Sequence, residues 1–378
     1  MSHLHNPFPY DYVGSFLRPE KLKKARRAFD EGKIDYAKLK EVEDQAITDL
    51  IIKVKSLGYH VITDGEFRRA TWHLDFMWGL DGVGHVKTKT GLPFYGEAAM
   101  IDDTYLVGKI GLSKEHPFVE HFRFVKQFED ENTVAKQTIP APAQVLAQFT
   151  MPFNREATEK YYGNDAELID DLVAAYKKVI DDLYAAGCRN VQLDDCTWGM
   201  LADKTAPLAY GTTVEGLQKI QQTYKDINNR VIANAPEGVV VTTHVCRGNF
   251  HSTYASSGAY DAVADALFAE ENADGYYLEF DDERSGGFAP LAKVTGDKKV
   301  VLGLVTTKSS VLESKKAIIE RIHEAAKYVP LDRLYLSPQC GFASCEIGNK
   351  LTEEQQWAKL RLVKEIAEEV WDKDGHIG

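Results

Sequence analysis

The chain has 378 residues, 44% of them apolar, enough to bury a large core without setting a domain count. Its formal net charge of −12 excludes the clustered Lys and Arg of a nucleic-acid footprint. No apolar run approaches the roughly eighteen residues of a membrane span, and five cysteines, an odd number, do not read as a disulfide framework.

The N-terminal residues 1–7 lack a basic region followed by an apolar stretch, so no secretory signal is expected and the location follows as cytoplasmic. In a reducing compartment the cysteines are buried thiols, metal ligands or reactive groups.

Along the chain, eight strand-like runs alternate with helical patterns. Residues 12–16 and 61–66 are the first two strands, with a helix over 36–57 between them. Residues 81–135, with Gly82, Gly84, Gly91 and alternating stretches such as 104–110, look like an inserted antiparallel excursion. The third and fourth strands are 136–142 and 190–195. Between them, 165–186 carries Leu168, Leu172, Ala175, Tyr176, Val179 and Leu183 at helical spacing, with Gly187 as its stop. Strands at 239–246, 275–280, 299–306 and 333–340 follow, with helices over 213–234, 259–270, 313–328 and 352–371. Several of these strands are nearly continuous in apolar character, as parallel strands buried on both faces are. A doubly wound sheet uses the same units, but eight repeats close a (β/α)8 barrel without spare elements. The expected architecture is therefore one TIM barrel over 1–378 with an insertion at about 81–135.

Chemistry-bearing residues gather at the ends of the later strands. His244 and Cys246 are two apart in Thr243-His244-Val245-Cys246, so both side chains face one side of the fifth strand. Glu279 closes the sixth strand and Cys340 the eighth, so all four meet at the C-terminal mouth, where such barrels place active sites. Singly, each cysteine reads as a small buried hydrophobe and Glu279 as a solvated carboxylate. Aligned at strand ends, the set reads as a zinc shell, since soft sulfur ligands disfavour magnesium and calcium. Two thiolates and a carboxylate on Zn²⁺ carry net −1, which makes the metal a weak Lewis acid and its weakest ligand replaceable. A substrate thiol would lose its proton there and stay nucleophilic, and Glu279 is the ligand expected to yield.

Other strand ends are polar. Gly14-Ser15 after the first strand offers backbone amides and a hydroxyl to a carboxylate. Asp64-Gly65-Glu66 and Asp194-Asp195 offer acids to an ammonium group, although each acid alone would read as a helix cap. Together these features describe an amino acid bearing a thiol.

The chain resembles the catalytic half of cobalamin-independent methionine synthase, in the uroporphyrinogen-decarboxylase-like barrel superfamily. The resemblance spans nearly the whole chain. It rests on Val13-Gly14-Ser15-Phe16, Asp64-Gly65-Glu66, Gln192-Leu193-Asp194-Asp195, His244-Val245-Cys246, Glu279 and Pro338-Gln339-Cys340-Gly341. It implies a zinc-dependent methyltransferase with His244, Cys246, Glu279 and Cys340 as zinc ligands. It also implies that Gly14, Ser15, Glu66 and Asp194 grip homocysteine, with Glu66 and Asp194 as catalytic residues. The family reaction moves a methyl group from a methylated folate to homocysteine, giving methionine.

Departures concern the donor side. Full-length synthases carry a second, N-terminal barrel that helps bind polyglutamated folate, and none is read in this chain. Gln148 stands where the family has a pterin-stacking tryptophan, and Thr306-Thr307-Lys308 where it has a proton-donating histidine. The expected partners are therefore homocysteine and either a methylated folate or a methylated corrinoid, the latter free or on a corrinoid protein. Alkyl transfer to another thiol and a non-catalytic metal- or small-molecule-binding barrel are the alternatives. The superfamily's decarboxylase branch works without a metal, so bound zinc would count against it.

Overall fold

The computed structural model describes residues 4–88 and 91–371; the first three residues of the segment read for a secretory signal lie outside the described residues. In chain order the strands are β1 (Val61–Ile62), β2 (Asp81–Val86), β3 (Leu92–Phe94), β4 (Glu97–Ala99), β5 (Asp103–Gly111) and β6 (Val134–Ala135). They continue with β7 (Gln137–Pro140), β8 (Asn190–Asp195), β9 (Val240–Val245), β10 (Gly275–Glu279), β11 (Lys299–Val305) and β12 (Leu334–Pro338). Strands β7 to β12 form one parallel sheet in sequential order. β1 pairs in parallel with β6, and the Lys136 amide, linking β6 to β7, donates to the Ile62 carbonyl at 3.0 Å. At the other edge Tyr10 bridges Leu336 of β12 in parallel. The Phe16 amide then donates to the Gly65 carbonyl at 3.1 Å, tying the first segment to the loop after β1. The row thus returns to its start, and sequential order with closure rules out the doubly wound arrangement.

Helices start where side chains can cap them. Asp35, Asn164, Thr213 and Ser314 accept from amides in the first turns of Tyr36–Ser56, Asp165–Ala185, Val214–Ala233 and Lys315–Ala325. The apolar stripe of Asp165–Ala185 is fully buried against the barrel, and Glu353–Trp371 is the last described helix, with Val363, Ile366 and Trp371 buried. No described helix is long and apolar enough to cross a membrane.

Several expectations shift. Residues 12–16 are buried but form no ladder; the first strand is reduced to the bridge at Tyr10. The second strand stops at Ile62, because Gly65 and Glu66 adopt φ of 65° and 61°, a left-handed pair that turns the chain. Residues 259–270 form a 3₁₀ turn, Tyr260–Ala262, and a π-helical turn, Asp265–Glu270, rather than one α-helix. The excursion is antiparallel through β5 only, with β2 on β5 and β3 on β4. Helix Pro117–Lys126 and β6 then lead back to the barrel. Helices Pro117–Lys126, Pro142–Thr150 and Pro152–Glu159 each carry proline in the first turn, where its missing N–H costs nothing.

Candidate metal centre and substrate cavity

Adjacent parallel strands place His244 beside Tyr277 in register, and Glu279 beside Gly303. The donor atoms of His244, Cys246, Glu279 and Cys340 lie within 4.8 Å of one another, and all four residues are buried. The Cys246 and Cys340 sulfurs are 3.7 Å apart. Two sulfurs at about 2.3 Å from a tetrahedral zinc would be about 3.8 Å apart, so the spacing suits that ion. His244 Nδ1 lies 3.1 Å from the Tyr277 carbonyl, which fixes the tautomer and leaves Nε2 buried and unpartnered. Glu279 Oε1 accepts from the Arg247 amide at 3.0 Å, while Oε2 is buried without a hydrogen bond. Contact with Cys246 and burial push the Cys340 thiol well above its ordinary range. Orphaned donors and paired sulfurs in a buried cluster are what a soft divalent cation would satisfy.

His244, Cys246 and Cys340 border a cavity of about 430 Å³, and Glu279 lies behind them, outside its lining. Ser15, Glu66 and Asp194 line the same cavity. Gly14 does not: a Cβ there would sit 2.8 Å from Thr138 Cγ2, so Gly14 is the close approach that seats Ser15. Of each acidic pair, one member faces the cavity. Asp64 instead accepts from the Glu66 amide at 2.8 Å, and Asp195 accepts from the Thr197 amide at 2.8 Å.

Both cavity acids are perturbed. Burial pushes Glu66 up to about 7, against the opposing Arg69, with Asp194 adding to the rise. Burial also pushes Asp194 up to about 7, opposed by the Gln192 hydrogen bond of 2.7 Å and by Arg69 and Lys136. Glu66 Oε2 has no hydrogen bond, and the residue holds a left-handed backbone that non-glycine residues adopt at a cost. Two raised carboxyls with spare acceptor capacity suit an incoming ammonium group.

Arg69, whose NH1 is 3.4 Å from Glu66, is fully buried over the Phe118 ring; it was missed in the sequence, where its i+3 spacing from Glu66 is the signal for it. Lys136 holds the Tyr12 carbonyl at 2.7 Å and Gln192 at 2.9 Å; a lysine inside an apolar strand is the signal for it. Trp72 and His73, stacked at 4.5 Å, also line the cavity. Nothing in the sequence marks them, because the left-handed turn at Gly65-Glu66 aims their loop. Burial lowers His73 to about 3. Gln148 lines the cavity from helix Pro142–Thr150, whereas Thr306-Thr307-Lys308 stays outside the lining. Leu92, Phe94, Ala99 and Ile101 of the excursion roof it.

Fold and site define an α/β barrel with a sulfur-rich metal-type cluster at the carboxyl ends of its strands. The chain belongs to the cobalamin-independent synthase catalytic-domain family, whose model matches residues 8–369, a family of methionine-synthase-like methyltransferases. It is 46% identical over 371 residues to the uncharacterized protein YxjG of Bacillus subtilis, covering 97% of this chain and 95% of that one. A solved structure from Listeria monocytogenes, described as a candidate vitamin-B12-independent methionine synthase, shares 38% identity. It superposes at a TM-score of 0.75, covering 97% and 98% of the two chains. The methionine synthase of Saccharolobus solfataricus is 23% identical over 367 residues, covering 96% of each.

Proposed function

We propose that this chain is a cytoplasmic zinc-dependent methyltransferase that moves a methyl group to the thiol of homocysteine, giving methionine. The observation that carries this reading is the placement of three sulfur and nitrogen donors on one cavity wall with Ser15, Glu66 and Asp194 beside them. Zinc held by His244, Cys246, Glu279 and Cys340 would lower the pKa of a coordinating thiol and keep its sulfur nucleophilic. Glu66 and Asp194 receive the ammonium group, and Ser15, seated by Gly14, receives the carboxylate. Apolar walls from Phe94, Met151 and Phe250 limit the access of water to the reacting atoms.

The donor is a methylated folate or a methylated corrinoid. Folate as leaving group needs a proton, and His73, held neutral by burial, is a poor general acid at pH 7. A corrinoid leaves without one and would present its methyl at the cavity mouth. The test is to incubate the zinc-loaded protein with homocysteine and a panel of donors and assay methionine. The panel holds mono- and polyglutamated methylfolate, methylcobalamin and S-methyl compounds. Turnover with another thiol but not homocysteine would redirect the substrate, and zinc binding without turnover on any pair would leave a binding barrel.

A further inference from the structure

The segment Thr306-Thr307-Lys308 follows β11, and its lysine ends beside the metal-type cluster rather than in the cavity. Lys308 Nζ is buried, its side chain 10% exposed, and it makes no hydrogen bond among the described residues. Its neighbours are Glu279 Oε2 at 3.9 Å and Asp281 Oδ2 at 3.7 Å. Arg284 approaches the same Glu279 oxygen at 4.0 Å, gives Asp281 a contact of 3.3 Å and pairs with the exposed Asp282 at 2.7 Å. A buried ammonium with no hydrogen bond is costly, and persists where some other arrangement satisfies it. Charge-assisted N–H···O bonds form at about 2.8 Å, so a shift of the Glu279 carboxylate by about 1 Å toward Lys308 would complete that bond, with the Arg284 charge close by.

The placement of Glu279 gives that shift a direction. His244, Cys246 and Cys340 face the cavity, and Glu279 faces them from behind, on the side of Lys308 and Arg284. A thiol entering from the cavity and a carboxylate leaving toward the cations therefore use opposite faces of the cluster.

We propose that Lys308 and Arg284 form a receiving site for the Glu279 carboxylate, occupied when a substrate thiol takes its place on the metal. In that exchange the metal–oxygen bond to Glu279 breaks, a metal–sulfur bond forms, the thiol proton passes to the medium, and no electron is gained or lost. Lys308 is thus a positioning residue: it stabilises the thiol-bound state without touching substrate. The proposal rests on the zinc and homocysteine reading above.

The experiment counts sulfur ligands by zinc X-ray absorption while the zinc-loaded protein is titrated with homocysteine. Wild type should go from two sulfurs to three as the thiol binds. Lys308→Met should keep its zinc and its two sulfurs, but gain the third only at about 10- to 100-fold higher homocysteine, the worth of one charge-assisted hydrogen bond. Lys308→Arg, which restores a cation, should recover most of the loss, and it serves alone against wild type and Lys308→Gln if the methionine variant does not fold. A third sulfur appearing at the wild-type concentration in Lys308→Met or Lys308→Gln overturns the receiving site. A wild type that never gains a third sulfur overturns the underlying homocysteine reading instead.

Discussion

Replacing Asp194 with asparagine tests the substrate pocket most sharply, because the change keeps shape and removes charge. The carboxylate is buried, and its Oδ1 accepts from Gln192 Nε2 at 2.7 Å. An asparagine that keeps this bond turns its own NH₂ toward the cavity and the incoming ammonium. Losing the charge-assisted contact should weaken binding by about 2–4 kcal/mol, about 30- to 1000-fold. A pH signature accompanies the loss. Glu66 and Asp194 each sit near 7 in the empty pocket, so binding an ammonium below pH 7 requires both to ionise. Each costs about tenfold in affinity per pH unit below its pKa. Methionine, whose thioether does not titrate, is the suitable ligand for calorimetry between pH 5.5 and 8. The wild-type log Kd should rise toward a slope of two as pH falls, and the Asp194→Asn slope should stay near one. Wild-type affinity in the variant, or an unchanged slope, would refute the assignment of Asp194 to the ammonium site.

Cys246→Ser and Cys340→Ser should each lose zinc, measured by elemental analysis, because a hydroxyl poorly replaces a thiolate in a two-sulfur site; full occupancy in both would sink the ligand assignment. The raised Glu66 binds a proton in the folded state that the unfolded chain releases above its ordinary range. Its stabilising contribution is therefore present at low pH and lost as pH rises toward 7. Thermal melts of ligand-free Glu66→Gln should accordingly fall less between pH 5 and 7.5 than those of wild type. With homocysteine fixed, kcat/KM should be higher for methylcobalamin than for polyglutamated methylfolate. A missing general acid costs about 10²–10⁴-fold, and the reverse order would assign this chain to folate chemistry.

The donor cluster was legible because strand geometry is regular. His244 and Glu279 lie at the ends of β9 and β10, and Cys246 and Cys340 follow β9 and β12 within two residues, so neighbouring parallel strands that end at one level bring the four together. The first strand misled for the opposite reason: residues 12–16 carry strand-like side chains, but their backbone bends at the mouth, where the Ser15 carbonyl accepts from the Phe342 amide at 2.9 Å. Residues 259–270 keep helical spacing, yet Tyr260 is pinned among Phe268 and Phe280, its hydroxyl 3.3 Å from the Glu279 carbonyl. Asp64 and Asp195 read as substrate acids because a carboxylate that binds its own chain two residues on and one that binds a ligand look alike in sequence. The pairing of Lys308 stayed hidden because its partners, Glu279 at the end of β10 and Asp281 just after it, lie far off in sequence and only folding brings them together.

The β3–β4 hairpin in the roof of the cavity is pinned to the stretch 250–254. The Tyr95 amide donates to the Tyr254 carbonyl at 2.8 Å, the two rings stack at 5.1 Å, and His251 lies 3.2 Å from Glu97. The Thr253 hydroxyl adds a hydrogen bond to the Tyr95 carbonyl and the Phe94 ring meets Phe250 at 5.5 Å, so the far ends of these contacts all belong to the stretch that follows Cys246. A displacement of the β3–β4 hairpin would therefore pull on the segment that follows the sulfur of Cys246, which couples the cover of the cavity to the geometry of the cluster beneath it.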